Sequence, residues 1–243
     1  MAEIEKPMRA INYEEALVTS FTLPEVLVLA DGTPVDSAET WRERRRPELL
    51  KLFSEHVYGF SPGAPEDISF RVFENSSSVL GGMATRRQVR ITVRNAGRSH
   101  GFDLLIYLPN AAPRPVPVFL GLNFYGNHTV APDPNIRMTD SWMRENASFA
   151  IVDHQSTEAS RGVNAHCWPV TRIVERGYGL ATIYYGDIDP DFDDGFENGV
   201  HPLYDEGQRT DAHWGATIAK EAFSRIHESV MRIFGSGATV WLP

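Results

Sequence analysis

Phe119-Leu-Gly-Leu-Asn-Phe-Tyr-Gly-Asn-His-Thr129 is the most informative segment of the chain. It completes an apolar run that is typical of a strand buried in a parallel sheet, and it breaks at Gly121 into a polar loop. Ligands in open α/β sheets bind beyond the carboxyl ends of strands, so we expect this loop to line a cleft. A glycine-bearing turn there lets backbone N–H groups face a developing negative charge, as an oxyanion hole requires. The oxyanion-loop or cleft-lining candidates are Asn123, Phe124, Tyr125, Gly126, Asn127 and His128.

Acyl transfer at such a loop needs a nucleophile, which we do not find in the sequence. No G-x-S-x-G nucleophile elbow occurs in the 243 residues. Ser236 lies between two glycines, but only seven residues follow it, which is too few for a strand–serine–helix context. We therefore assign no catalytic residue.

The composition indicates an ordinary globular protein. Of the 243 residues, 42% are hydrophobic and 23% are charged. The net charge of −9 argues against a nucleic-acid partner, because phosphate-binding surfaces need clustered Lys and Arg. One arginine cluster is interleaved with glutamates and predicts the solvated face of a helix; its members are Arg42, Arg44, Arg45 and Arg46.

Neither a membrane nor a compartment is indicated. No apolar run approaches the roughly 20 residues of a membrane span. The N-terminus lacks the apolar core of a signal peptide, so the localisation stays open. The single cysteine, Cys167, cannot close an internal disulfide and is predicted to be a small buried apolar residue.

Turn and cap signals divide the N-terminal part of the chain. Residues 1–35 are predicted to form an extended arm. Asp36 followed by Glu39 resembles a capping box and predicts a helix over about 37–57, with either a kink or a division into two shorter helices at Pro47. Its apolar side chains are predicted to share one face; they are Trp41, Leu49, Leu52, Phe53 and Val57.

The periodicity of the apolar residues then changes along the chain. Alternation over residues 68–72, 89–93 and 102–108 predicts an antiparallel meander, with turns at 75–78 and 95–97. Apolar runs at 116–122 and 180–185 do not alternate; they bracket a helical pattern at 169–176 that Gly177 ends. This shift predicts a mixed α/β sheet.

The loop after the run at 180–185 is rich in carboxylates. Five aspartates lie within residues 187–194, which invites a calcium interpretation. The spacing fails the EF-hand pattern, since Asp194 occupies the position of the required glycine when the count starts at Asp189. Turn formation by the carboxylates is favoured over a metal site, and no metal ligand is assigned. Because the loop follows a strand, Asp187 and Asp189 join the cleft-lining candidates.

Three long segments resemble carbohydrate esterase family 15, the glucuronoyl esterases and relatives labelled acetylxylan esterases. They run from Trp41 to Gly59, from Leu120 to Thr129 and from Arg176 to Asp191, in the order of the family. The resemblance covers about residues 38–216, and residues 217–243 diverge from it.

The resemblance implies the N-terminal part of an α/β-hydrolase three-layer sandwich with a mixed, mostly parallel sheet over residues 36–243. It further implies a serine hydrolase, without cofactor, that cleaves glucuronate or acetyl esters of xylan in the plant cell wall. Family members usually act in the periplasm or outside the cell. The Gly-x-Ser-Arg-x-Gly-Lys segment that carries the nucleophile in this family does not occur here, so we expect a chain truncated before the nucleophile elbow and inactive by itself.

Loss of the nucleophile segment has a structural consequence. In the hydrolase strand order, the strand at 116–122 lies beside one that would follow residue 243. We therefore expect a bare sheet edge, with low solubility, self-association through this edge or dependence on a separate chain. Residues 216–234 are spaced for an amphipathic helix.

Two other classes of function stay open. One is a non-catalytic module that binds carbohydrate or a protein partner, having kept the cleft without the nucleophile. The other is a calcium-stabilised structural domain built on residues 187–194.

Overall fold

A computed structural model describes residues 12–58, 64–113, 115–204 and 240–241 of the chain. The chain divides into two compact units, Met1–Leu52 and Phe53–Pro243. The predicted helix at 216–234 lies outside the described residues. Among those that are described, no helix has the length and apolar character needed to cross a membrane.

The N-cap of the first α-helix is Ser37, one residue after Asp36, which starts the predicted capping box. The Ser37 hydroxyl accepts a hydrogen bond from the backbone N–H of Thr40 at 3.0 Å, which satisfies a free donor of the first turn. The irregularity expected at Pro47 takes the form of a π-helical turn on its N-terminal side. In order, the segment comprises α1 (Ala38–Thr40), a π-helical turn (Trp41–Arg45), α2 (Arg46–Phe53) and a second π-helical turn (Ser54–Tyr58).

The predicted solvated arginine face of this segment is wrong at one of its four residues. Arg45 is buried rather than solvated, because its guanidinium donates to the backbone carbonyls of Val26 and Glu25, each at 2.9 Å. It also pairs with Glu48 at 3.1 Å and so fixes the preceding arm against the helix. Of the apolar side chains predicted to share one face, Trp41 and Leu49 are partly buried, whereas Leu52, Phe53 and Val57 are 48–61% exposed.

The second unit contains a mixed sheet with the strand order β1-β2-β3-β5-β4-β6. The strands are β1 (Asp67–Val79), β2 (Ala84–Asn95), β3 (Arg98–Pro109), β4 (Val118–Asn123), β5 (Gly179–Tyr184) and β6 (Val240–Trp241). The meander β1-β2-β3 and the β3-β5 pair are antiparallel, whereas β5, β4 and β6 are parallel. The predicted mixed sheet is confirmed.

One of the two predicted turns lies elsewhere. The serine-rich residues 75–78 continue β1, and the chain turns at Leu80–Gly82, where Gly81 and Gly82 adopt φ of 67° and 90°. Glycine takes such angles without steric cost, so the glycine pair outweighs the serines as a turn signal. The turn at 95–97 is confirmed, with φ of 48° at Ala96 and 73° at Gly97.

Both faces of the sheet are buried around β4 and β5. On one face, α3 (Val170–Glu175) packs Val170 and Val174 near Leu180, and Gly177 at φ 81° follows the helix as predicted. On the other face, Leu120 and Ile183 belong to a larger cluster with the apolar side chains of β2 and β3. Cys167, just before α3, is exposed, so its predicted burial is wrong.

β6 covers part of the edge predicted to be bare. Val240 and Trp241 pair in parallel with Val118 and Phe119, so the prediction of a wholly unpaired edge is wrong at these positions. Within the described part of the chain, residues 120–123 pair with β5 alone.

Candidate functional site

The two predicted cleft loops leave the sheet at the same edge. β4 and β5 are parallel neighbours, and Asn123 at the end of β4 lies opposite Tyr184 at the end of β5. The ring of Phe124 stacks on that of Tyr185, with centroids 4.4 Å apart. Parallel pairing therefore brings residues 123–128 next to the start of the aspartate-rich loop.

Hydrogen bonds from Asn123 and Asn127 connect the loop at residues 123–128 to β5 and β3. The side chain of Asn123 is 1% exposed and donates to Asn127 Oδ1 at 2.6 Å and to Thr182 Oγ1 at 3.1 Å. Asn127 in turn donates to the backbone carbonyl of Asp103 on β3 at 2.8 Å. Among the described residues, Asn123 Oδ1 has no hydrogen-bond partner although it is buried. The loop is thus held by buried side-chain hydrogen bonds rather than by its own backbone alone.

Gly126 is required by both conformation and space. Its φ of 90° favours glycine, and a Cβ at this position would lie 2.7 Å from His128 Cε1. The short 3₁₀ turn Asn127–Thr129 follows, and Thr129 Oγ1 donates to the Gly126 carbonyl at 2.9 Å. A sharp, rigid turn of this kind is what an oxyanion-hole loop needs.

His128 does not act as a base in this arrangement. It is fully buried, and its Nε2 lies 2.8 Å from Ser160 Oγ, which donates its own hydrogen to the Thr157 carbonyl at 2.6 Å. Ser160 must therefore accept from His128 Nε2–H. Burial and the nearby positive charge of Arg161 lower the pKa of His128 to about 4. The His128–Ser160 hydrogen bond is inaccessible to solvent, since Ser160 is also 0% exposed, and its role is structural.

The aromatic members of the loop differ in exposure. Phe124 is 52% exposed, whereas the partly buried Tyr125 ring packs on Phe149 with centroids 4.3 Å apart. Of the six candidates in this loop, Phe124 therefore offers the most side-chain surface to a ligand, and Asn123, Asn127 and His128 support the loop from beneath.

Asp187 is a buried carboxylate at the end of β5. It accepts a hydrogen bond from Thr139 Oγ1 and another from Ser141, and its backbone carbonyl lies 2.5 Å from His100 Nε2. Burial raises the pKa of Asp187 above its ordinary value, and burial lowers the pKa of His100. Asp187 thus joins the end of β5 to Thr139 and Ser141 through its side chain and to β3 through its backbone carbonyl.

Asp189 contacts a different partner from Asp187. Its Oδ2 lies 3.5 Å from His201 Nε2, and it is only partly exposed. Further along the loop, Asp194 accepts from the backbone N–H groups of Phe196 and Asn198 at 2.8 and 3.0 Å, which is a turn-forming role. Within the described ranges, no group of three potential ligands is placed to hold a metal ion.

Sequence reasoning did not find the residues that support the loops. Asp103, Thr182 and Ser160 lie 24, 59 and 32 positions from the loop residues that they contact. The register of β4 against β5 explains why Asn123 contacts Thr182, but this register is not evident from the sequence.

Comparison with known proteins identifies the relatives of this arrangement. No family model matches the chain. A curated protein named carbohydrate esterase MZ0003, from an unknown prokaryotic organism, is 44% identical over a 218-residue alignment, which covers 88% of this chain and 50% of that protein.

Solved structures agree with that relative. A promiscuous family-15 carbohydrate esterase from a marine bacterial metagenome is 39% identical with a TM-score of 0.78, over 95% of this chain and 58% of that one. A glucuronoyl esterase from Solibacter usitatus is 38% identical with a TM-score of 0.80, over 94% of this chain and 58% of that one. The chain thus spans between 50% and 58% of the length of these relatives. In sequence and in fold, the chain resembles part of the carbohydrate esterases of family 15.

Proposed function

We propose that this chain forms part of a serine carboxylic-ester hydrolase that cleaves glucuronate or acetyl esters carried by xylan. The observation that carries the proposal is the rigid loop at residues 123–128, set at the carboxyl edge of the parallel strands in a chain similar to glucuronoyl esterases. Glucuronoxylan or a lignin–carbohydrate ester is the corresponding partner.

The role proposed for the loop is to build one side of the oxyanion hole. Buried contacts from Asn123 and Asn127 hold the loop before substrate arrives, so no reorganisation is needed as charge develops on the ester oxygen. In the complete enzyme, a serine activated by a histidine attacks the ester carbonyl and forms an acyl-enzyme that water hydrolyses. Loss of one oxyanion donor then lowers kcat by ~10²–10³.

By itself the 243-residue chain is proposed to be inactive. In the part of the chain that the structure describes, Ser160 and His128 form a serine–histidine contact of hydrogen-bond length, and both are buried. The serine hydrogen is directed at the Thr157 carbonyl rather than at the histidine. Neither side chain can reach a substrate.

The first prediction concerns ester hydrolysis. The purified chain should not hydrolyse the benzyl ester of glucuronic acid or acetylated xylan above the buffer rate. A chimera that joins the chain to the part of the Solibacter usitatus esterase that it does not cover should hydrolyse one of these substrates. Release of benzyl alcohol or acetate is the measurement.

The matched control is the same chimera with its supplied nucleophilic serine changed to alanine, which should be inactive. Turnover by the 243-residue chain alone would contradict its proposed inactivity. A folded chimera that leaves both esters intact would overturn the proposed esterase function.

A further inference from the structure

Two adjoining cavities open beside the proposed ester site. They have volumes of about 420 and 660 Å³, within the range of ~300–1,000 Å³ that is usual for ligand sites. Both are lined by Ser99, His100, Asp140, Ser141 and Asp187. β3 is antiparallel to β5, so the start of β3 lies at the edge where β4 and β5 end. The cavities therefore lie near the start of β3, which is two strands away from β4 in the sheet, and on the side of the sheet where β4 and β5 end.

The polar groups of the smaller cavity are fixed by one another. Arg90 and Arg137 both pair with the Asp103 carboxylate, at 3.1 and 3.4 Å. Hydrogen bonds from Thr139 and Ser141 hold the carboxylate of Asp187. Groups that are ordered before binding lose little entropy when a ligand arrives.

The charges of this lining favour a neutral ligand. An anion would have to compete with Asp103 for both guanidinium groups. A metal ion lacks a suitable group of ligands among the described residues. Arginine, serine and threonine donate hydrogen bonds, whereas the aspartates accept them. Hydroxyl groups, which do both, match such a lining.

The larger cavity adds an apolar wall. Trp142 and Phe192 both line it, with ring centroids 4.9 Å apart, and Phe192 is 41% exposed. Aromatic rings present large apolar area and a negatively polarised face. The C–H faces of a pyranose ring pack on such a surface while its hydroxyls reach polar groups at the rim.

We propose that the joined cavities form a subsite for neutral sugar residues of a polysaccharide, separate from the loop at residues 123–128 that serves the ester. The sugar chemistry follows from the lining, and the choice of xylan as the polysaccharide rests on the proposed function. The subsite holds the unmodified backbone on one side of the ester-bearing sugar.

Binding of xylohexaose to the full chain tests the subsite, because this ligand carries neither an ester nor a uronate. Isothermal titration calorimetry should give a dissociation constant of ~0.1–1 mM. Ser99→Trp, at an exposed position that lines both cavities, should weaken binding at least about tenfold. Asp140→Ala should weaken it several-fold without disturbing the fold, because Asp140 is exposed.

The matched control is Ser78→Trp, which makes the same change at an exposed position of β1 that lines neither cavity. It should bind xylohexaose as the unmodified chain does. The subsite would be overturned if all variants bound xylohexaose equally, or if the unmodified chain bound no neutral oligosaccharide. Neither result would bear on the esterase proposal, which the chimera tests. Binding of cellohexaose but not xylohexaose, abolished by Ser99→Trp, would support a sugar subsite and overturn xylan as the substrate.

Discussion

At the scale of single residues, the loop after β4 depends on a neutral histidine. His128 donates to Ser160 and lies against Gly126, where no larger residue fits. A protonated imidazolium at this fully buried position would have no carboxylate hydrogen-bonded to it among the described residues. Charging His128 is therefore costly in the folded chain.

This cost predicts a pH dependence of stability. The pKa of His128 is about 4 in the folded chain and near its ordinary 6.5 in the unfolded chain. Its contribution to the free energy of unfolding is complete above pH 6.5 and is lost as the pH falls through 4, because the unfolded state binds the proton first. The loss approaches ~3 kcal/mol. His128→Gln keeps a donor for Ser160 without titrating, so urea unfolding of the variant should change less between pH 7 and pH 4.

His166→Gln is the matched control, since His166 is exposed. It should follow the pH profile of the unmodified chain. Identical slopes for the unmodified chain and His128→Gln would contradict the neutral, buried state of His128.

At the scale of elements, side-chain hydrogen bonds join three strands beneath the loop. Asn123 on β4 bonds to Thr182 on β5, and Asn127 bonds to Asp103 on β3. A comparable network fixes the segment after residue 132: the fully buried Arg86 on β2 pairs with Glu74 at 2.9 Å and with Asp133. The loop at residues 123–128 and the segment after residue 132 are thus each anchored to strands by buried polar groups, which are costly to leave unpaired.

Asn123→Ala should accordingly destabilise the chain. Removing the amide leaves Asn127 Oδ1 without its partner in a buried setting, which costs ~1–3 kcal/mol. Chemical denaturation should show a lower midpoint with an unchanged slope.

Asn75→Ala provides the comparison, since Asn75 is exposed and makes a single surface hydrogen bond with Arg87 at 3.0 Å. Its effect should stay within ~0.5 kcal/mol. Equal effects of the two substitutions would show that the buried network does not hold the loop.

At the scale of the whole molecule, we expect the outer edge of the sheet, on the side of β4 away from β5, to govern association. β6 covers Val118 and Phe119, while residues 120–123 have β5 as their one partner among the strands described. Free backbone groups along an apolar strand pair readily with another chain. We expect the sedimentation coefficient to rise with concentration over tens of micromolar.

Phe119→Lys should reduce this association, because a charged edge residue opposes strand addition. Phe192→Lys is the matched control: the two phenylalanines are 42% and 41% exposed, and Phe192 lies outside the strands. A concentration-independent monomer with a cooperative melt would contradict association through the edge. Equal loss of association in both variants would place the contact elsewhere.

The sequence by itself determined the elements and their class. Local signals locate the strands and one of the two predicted turns, because backbone sterics and alternation act over a few residues. The runs at 116–122 and 180–185 accordingly match β4 and β5 within two residues, and residues 95–97 form the expected turn. The position of the candidate loop at the end of a parallel strand follows from the same local pattern.

The tertiary structure alone decided which side chains are buried and what they contact. Arg45 is buried although it was predicted to be solvated, and Cys167 is exposed although it was predicted to be buried, because burial depends on residues far away in the chain. The partners of Asn123, Asn127 and His128 are likewise distant in sequence. The cavities beside β3 arise because an antiparallel strand brings residues 99–100 next to residue 187, a contact that no local pattern records. Strand register sets these contacts, and register is fixed by the packing of the whole sheet.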